Sequence, residues 1–107
     1  MEKQIKNLLK KCGVPAHIIG YEYLADAVSM SKDDKNYYLN ITKCLYPTLA
    51  KKYHKSIGSI ERAIRHAIEI ACSNLTPDLK GELFGSTLCN DKATNAHFIG
   101  TITELLD

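Results

Sequence analysis

The stretch LYPTLAKKYHKSIGSIERAIRHAIEIA, residues 45–71, decides how this chain folds. It predicts a short helix, a tight turn and a longer helix. Pro47 suits the first helical position, where the N–H it lacks would be unpaired anyway. Leu49, Ala50 and Tyr53 then share one face. Ser56 is placed to cap the next helix, its hydroxyl accepting from an orphan N–H. From there Ile57, Ile60, Ala63, Ile64, Ala67, Ile68 and Ala71 recur at the spacing of one buried helical stripe. Ser59, Arg62, Arg65, His66 and Glu69 fall on the other face. Ala50 is small where two helices must cross closely, and Ile60 follows ten positions on. That spacing predicts a helix-turn-helix over about 47–71, a motif whose second helix lies in the major groove of DNA.

Charge singles out the same stretch. Residues 43–66 hold Lys43, Lys51, Lys52, Lys55, Arg62 and Arg65 against Glu61 alone, while the whole chain carries only +2. A nearly balanced chain that gathers its cations on one motif has the electrostatic footprint of a nucleic-acid binder. Within it, Arg62 is a candidate base reader, because a guanidinium can bond guanine O6 and N7 together. Glu61 can accept from cytosine N4, or pair with Arg65 one turn on. Ser59, small and near the helix start, can touch a base or leave a gap that water fills. Gly58 lets the backbone approach closely. Lys51, Lys52, Lys55, Ser56, Arg65 and His66 form the candidate phosphate-contact set, which positions a protein without reading sequence. The plain alternatives are solvated lysines and, for His66, a half-buried packing role.

The 107 residues are expected to form a single domain. An apolar content of 45% and a charged content of 24% are ordinary for a globular chain. No apolar run approaches the roughly 20 residues of a membrane span, and the first residues lack the pattern of a secretory signal. Cys12, Cys44, Cys72 and Cys89 form no CxxC pair and sit among apolar neighbours, so buried reduced thiols and a cytoplasmic location are expected. His17, His54, His66 and His97 show no metal-ligand spacing, and there is no Gly-rich phosphate loop. Neither catalysis, a metal nor a cofactor is indicated.

The remaining segments predict an all-α bundle of about six or seven short helices. The first spans 2–12, with Ile5, Leu8, Leu9 and Cys12 inward, and Gly13-Val14-Pro15 ends it. The second spans about 16–30, with Ile18, Tyr21, Leu24, Ala25 and Val28 inward and Gly20 permitting close packing. A third, capped by Ser31, spans about 34–45 and buries Tyr38, Ile41, Cys44 and Leu45. After the motif, Ser73-Asn74-Leu75 is expected as a loop. Thr76-Pro77-Asp78 is expected to start a helix carrying Leu79, Leu83 and Phe84. A loop over 86–93 then leads to a last helix capped by Thr94, with Phe98, Ile102, Leu105 and Leu106 inward.

GVPAHIIGYEYLADAVSM (13–30), ITKCLYPTLAKKY (41–53) and IERAIRHAIEIA (60–71), with the weaker ELFGST (82–87) and TNAHFI (94–99), carry a specific resemblance. In order and spacing they resemble the C-terminal effector domain of the stage-zero sporulation response regulator of endospore-forming bacteria, from about residue 5 onward. The resemblance implies a transcription regulator of double-stranded DNA that binds a TGTCGAA-like box, often as tandem dimers. It also implies contacts with RNA polymerase sigma factor, tied to a region that maps loosely onto 73–85. In the family this domain follows a receiver domain of a two-component system. This chain contains none, which fits either an excised effector domain or a stand-alone relative. Where the family usually carries a base-reading arginine, this chain has Ser59, and His54 and Lys55 replace the usual polar turn residues. A different function class follows from that departure: a protein-interaction module that keeps the fold and binds sigma factor, polymerase or a related regulator without specific DNA binding.

Overall fold

The computed structural model describes residues 2–76, 78 and 95–106. These form six α-helices: α1 (Glu2–Lys11), α2 (Ile19–Asp33), α3 (Asn36–Leu39), α4 (Tyr46–Tyr53), α5 (Ile57–Asn74) and α6 (Asn95–Leu105). A π-helical turn, Ile41–Leu45, joins α3 to α4. No strand occurs among the described residues, in keeping with the expected all-α bundle.

The second helix is central. It packs against α1, α3, α5 and α6 and touches α4. Tyr21, Tyr23, Leu24, Ala25, Ala27 and Val28 are all buried, so it is covered on more faces than one apolar stripe supplies. Its closest approach is at Gly20. A Cβ there would lie 2.7 Å from Ala67 Cβ and would run into the Ala63 carbonyl oxygen of α5. The expected role of Gly20 in close helix packing is therefore met. Gly13, at φ +92°, makes the left-handed turn that ends α1. Its carbonyl accepts a 3.0 Å hydrogen bond from the Asn74 side-chain amide at the far end of α5.

Several boundaries differ from the sequence reading. The second helix starts at Ile19 and ends at Asp33, three residues later than expected at each end. Ser31 does not cap a following helix. It lies inside α2, 1% exposed, and its hydroxyl has no hydrogen-bond partner among the described residues. Residues 24, 28 and 31 fall on one helical face, so packing carries the helix past the polar run. The next helix starts after Lys35 without a side-chain cap, while Asp34, which ends α2, accepts from the Asn36 N–H through Oδ1 at 2.9 Å.

The expected helix 34–45 breaks at Asn40, which takes a non-helical φ of −121° and ψ of 56°. In the π-helical turn that follows, the Tyr46 N–H reaches back to the Ile41 carbonyl, five residues rather than four. The extra residue rotates the apolar face. Leu45 is fully buried, while Tyr38, Ile41 and Cys44 are only half-buried.

The expected loop at 73–75 is instead the end of α5, which runs to Asn74. Leu75 extends its stripe and is buried. In α6, Phe98, Ile99 and Ile102 are fully buried, whereas Leu105 is 44% exposed. The stripe turns outward one residue before the helix-end pair Leu105 and Leu106, and only Leu106 packs against the core. Cys12 is buried, and Cys44 and Cys72 are half-buried thiols rather than fully buried ones. The helix carrying Leu79, Leu83 and Phe84, the loop 86–93, the Thr94 cap and Cys89 lie outside the described residues.

Gly20 gives a test with opposing terms. Alanine would favour the isolated helix by roughly 0.5–1 kcal/mol. The clash, however, is with the backbone of α5, which cannot rotate away. Gly20→Ala is expected to lower unfolding free energy by about 1–3 kcal/mol, read as a lower urea midpoint.

Candidate nucleic-acid interface

The site is α4, the turn after it and the first turns of α5. The first of these helices begins at Tyr46, one residue before Pro47, because the π-helical turn delivers Tyr46 already in helical conformation (φ −60°, ψ −45°). It ends at His54, the only non-glycine residue at positive φ among those described. The N–H groups of His54 and Lys55 both return to the Ala50 carbonyl, the latter at 3.0 Å. This left-handed residue reverses the chain at the end of the helix. Ser56 then caps α5 as expected, its Oγ accepting from the Ser59 N–H at 3.1 Å. Leu49, Ile60 and Ile64 are fully buried where the two helices cross, and Ala50 and Ala63 are half-buried against the core.

The residues singled out in the sequence separate into two groups. Arg65 Nη1 lies 3.0 Å from Glu61 Oε1, and its Nε lies 3.9 Å from Glu69 Oε1. The arginine thus sits between two acids spaced one turn on either side. Lys52 Nζ bonds Asp26 Oδ2 at 2.9 Å. The Ser56 hydroxyl donates to Ser59 Oγ at 2.9 Å. In contrast, Lys43, Lys51, Lys55 and Arg62 are exposed and form no ion pair among the described residues. The guanidinium of Arg62 folds over Gly58, its Nη1 3.1 Å from where a Cβ at position 58 would stand. His66 is exposed beyond it.

Two residues that shape this surface were not singled out in the sequence. Asp26, on α2, accepts from both Lys52 Nζ and the Tyr53 hydroxyl. Tyr53 also packs against Tyr23, ring centres 4.7 Å apart. An acid flanked by Ala25 and Ala27 in YLADAV was the available signal, since both neighbours are buried. Asn95, at the start of α6, is 9% exposed. Its side-chain amide donates to the Tyr46 hydroxyl at 2.8 Å and to the Glu61 carbonyl at 3.3 Å. One buried amide therefore ties α6 to both helices of the motif. Nothing in the periodicity marks it, because its partners are distant in sequence.

Among the described residues, no group of three or more His, Cys, Asp or Glu is placed to hold a metal ion. No helix of those residues is long and apolar enough to cross a membrane.

Described residues that are helical, with a capped, tightly turned helix pair and, among them, four cations without an ion pair on or next to it, make up a helix-turn-helix domain. Residues 5–106 match the family described as sporulation initiation factor Spo0A C terminal. The chain belongs to that family, which is a DNA-binding effector domain and not an enzyme family.

The Tyr53–Asp26 contact predicts an alkaline effect. Burial, then the hydrogen bond to the Asp26 carboxylate and its charge, push the Tyr53 phenol above its ordinary range. A phenol whose folded-state value is raised stabilises the fold fully below the unfolded value of about 10. That contribution is lost as pH rises through the folded value. Tyr53→Phe is expected to flatten the loss of stability above about pH 10, measured as urea midpoints at neutral and alkaline pH. It should not abolish that loss, because Tyr21, Tyr38 and Tyr46 are also raised, chiefly by burial.

Proposed function

We propose that this chain is a sequence-specific double-stranded DNA-binding transcription regulator that places α5 in the major groove. The observation that carries the reading is the division of cations on the motif. Lys43, Lys51, Lys55 and Arg62 have no acidic partner among the described residues. Cations left without an acidic partner on and next to one motif match a polyanion. Lys51 and Lys55, at the end of α4 and in the turn, suit phosphates flanking the groove. Arg62, with its guanidinium unspent, suits the paired acceptors of a guanine edge. The Glu61–Arg65 pair presents a fixed unit, whose carboxylate can accept from cytosine N4 while the arginine and His66 meet phosphate. Lys52 contributes less, its charge offset by Asp26. Ser56 and Ser59 serve first to cap the helix. Family membership supports extending the reading to two copies on adjacent half-sites and to contact with polymerase sigma factor.

Selection of bound duplexes from a random pool tests this directly. A preferred box is expected. Its affinity should fall steeply between about 50 and 200 mM salt, as neutralised phosphates release counterions. Arg62→Ala should cost about 1–3 kcal/mol on the selected box and far less on random DNA. Lys55→Ala should weaken both alike and lower the salt slope by about 1. No selected duplex, together with recovery of polymerase by the purified domain, would replace this reading with that of a protein-interaction module.

A further inference from the structure

The first residue of α5 behaves differently from the stripe it belongs to. By spacing, Ile57 should be buried with Ile60 and Ile64, which are fully enclosed. It is instead 45% exposed, and His54, Lys55 and Ser56 before it are exposed as well. The two serines beside it are engaged in the cap. The Ser56 hydroxyl donates to Ser59 Oγ, and the Ser59 N–H donates to Ser56 Oγ. Gly58 carries no side chain, and Arg62 has folded into the space this leaves. The head of the helix therefore offers its surroundings a branched hydrocarbon beside the Arg62 guanidinium.

We infer that Ile57 is a base-reading residue that packs against the 5-methyl group of a thymine in the major groove. The inference rests on the DNA reading above. In a helix-turn-helix the first residues of the second helix meet the base edges. The thymine methyl is the apolar group that those edges present. Set against any other edge, the isoleucine would strip water from a donor or acceptor and give no hydrogen bond in return. Lys55, two residues before it, and Arg62, folded over Gly58, are exposed and without an ion pair among the described residues, which matches a polyanion and opposes an apolar protein partner. Ile57 thus supplies, by hydrophobic contact, discrimination in a turn whose serine at position 59 is held by the cap.

The test uses the duplex selected by the intact chain, with each thymine replaced in turn by deoxyuridine. This removes one methyl group and leaves base pairing unchanged. At one position the replacement should weaken binding about fourfold, the worth of one methyl-sized apolar contact. Ile57→Ala should weaken binding to the thymine box by about fourfold or more and should bind the thymine and deoxyuridine boxes equally. The deoxyuridine series with the unaltered protein needs no variant to fold. A selected box without thymine, or one indifferent to methyl removal at every position, overturns the assignment while leaving DNA reading intact. So does an Ile57→Ala protein that still senses the methyl. Failure to select any duplex would sink both readings.

Discussion

At Gly20 the backbone of α2 lies directly on α5, leaving no room for a side chain beside Ala63 and Ala67. The consequences extend along the same face of α2. One turn on, Tyr23 packs against Tyr53. A turn beyond that, Asp26 accepts from Tyr53 and Lys52. Gly20 therefore seats the second helix of the motif, and Tyr23 with Asp26 seats the first. The central helix thus holds both helices of the motif from beneath, while the left-handed turn at His54 and the packing of Leu49 against Ile60 and Ile64 join them directly. Asn95 adds a brace from the other side, joining α6 to Tyr46 and to the α5 backbone.

The same packing sorts the charges. The sequence gathers six cations on the motif. Asp26 reaches Lys52 because α2 runs beneath α4, while Glu61 and Glu69 reach Arg65 because they share its helix face. Exposed ion pairs of this kind contribute little stability. Their larger effect is on the field: they remove two cations from the free set and leave Arg62 and the lysines 43, 51 and 55 to define it. Regulatory specificity in this family member is proposed to rest on that free set together with the exposed hydrocarbon at the head of α5.

The sequence by itself determined the features that depend on near neighbours. The two helices of the motif, the Ser56 cap, the stripe from Ile60 to Ala71, the Gly13 turn and the small residue at position 20 all follow from spacing, capping and steric freedom within a few residues. The blocks that carry the family resemblance are equally local strings. Tertiary structure decided what depends on distant partners. Ser31 stays helical because packing outweighs its preference for a cap, and the helix expected at 34–45 breaks at Asn40 and continues as a π-helical turn. Asp26 and Asn95 became visible only with their partners 27 and 49 residues away. Ile57 shows the division within one residue. Its period placed it in the core with Ile60, but Ile60 is enclosed and Ile57, one turn nearer the helix start, is 45% exposed among the described residues.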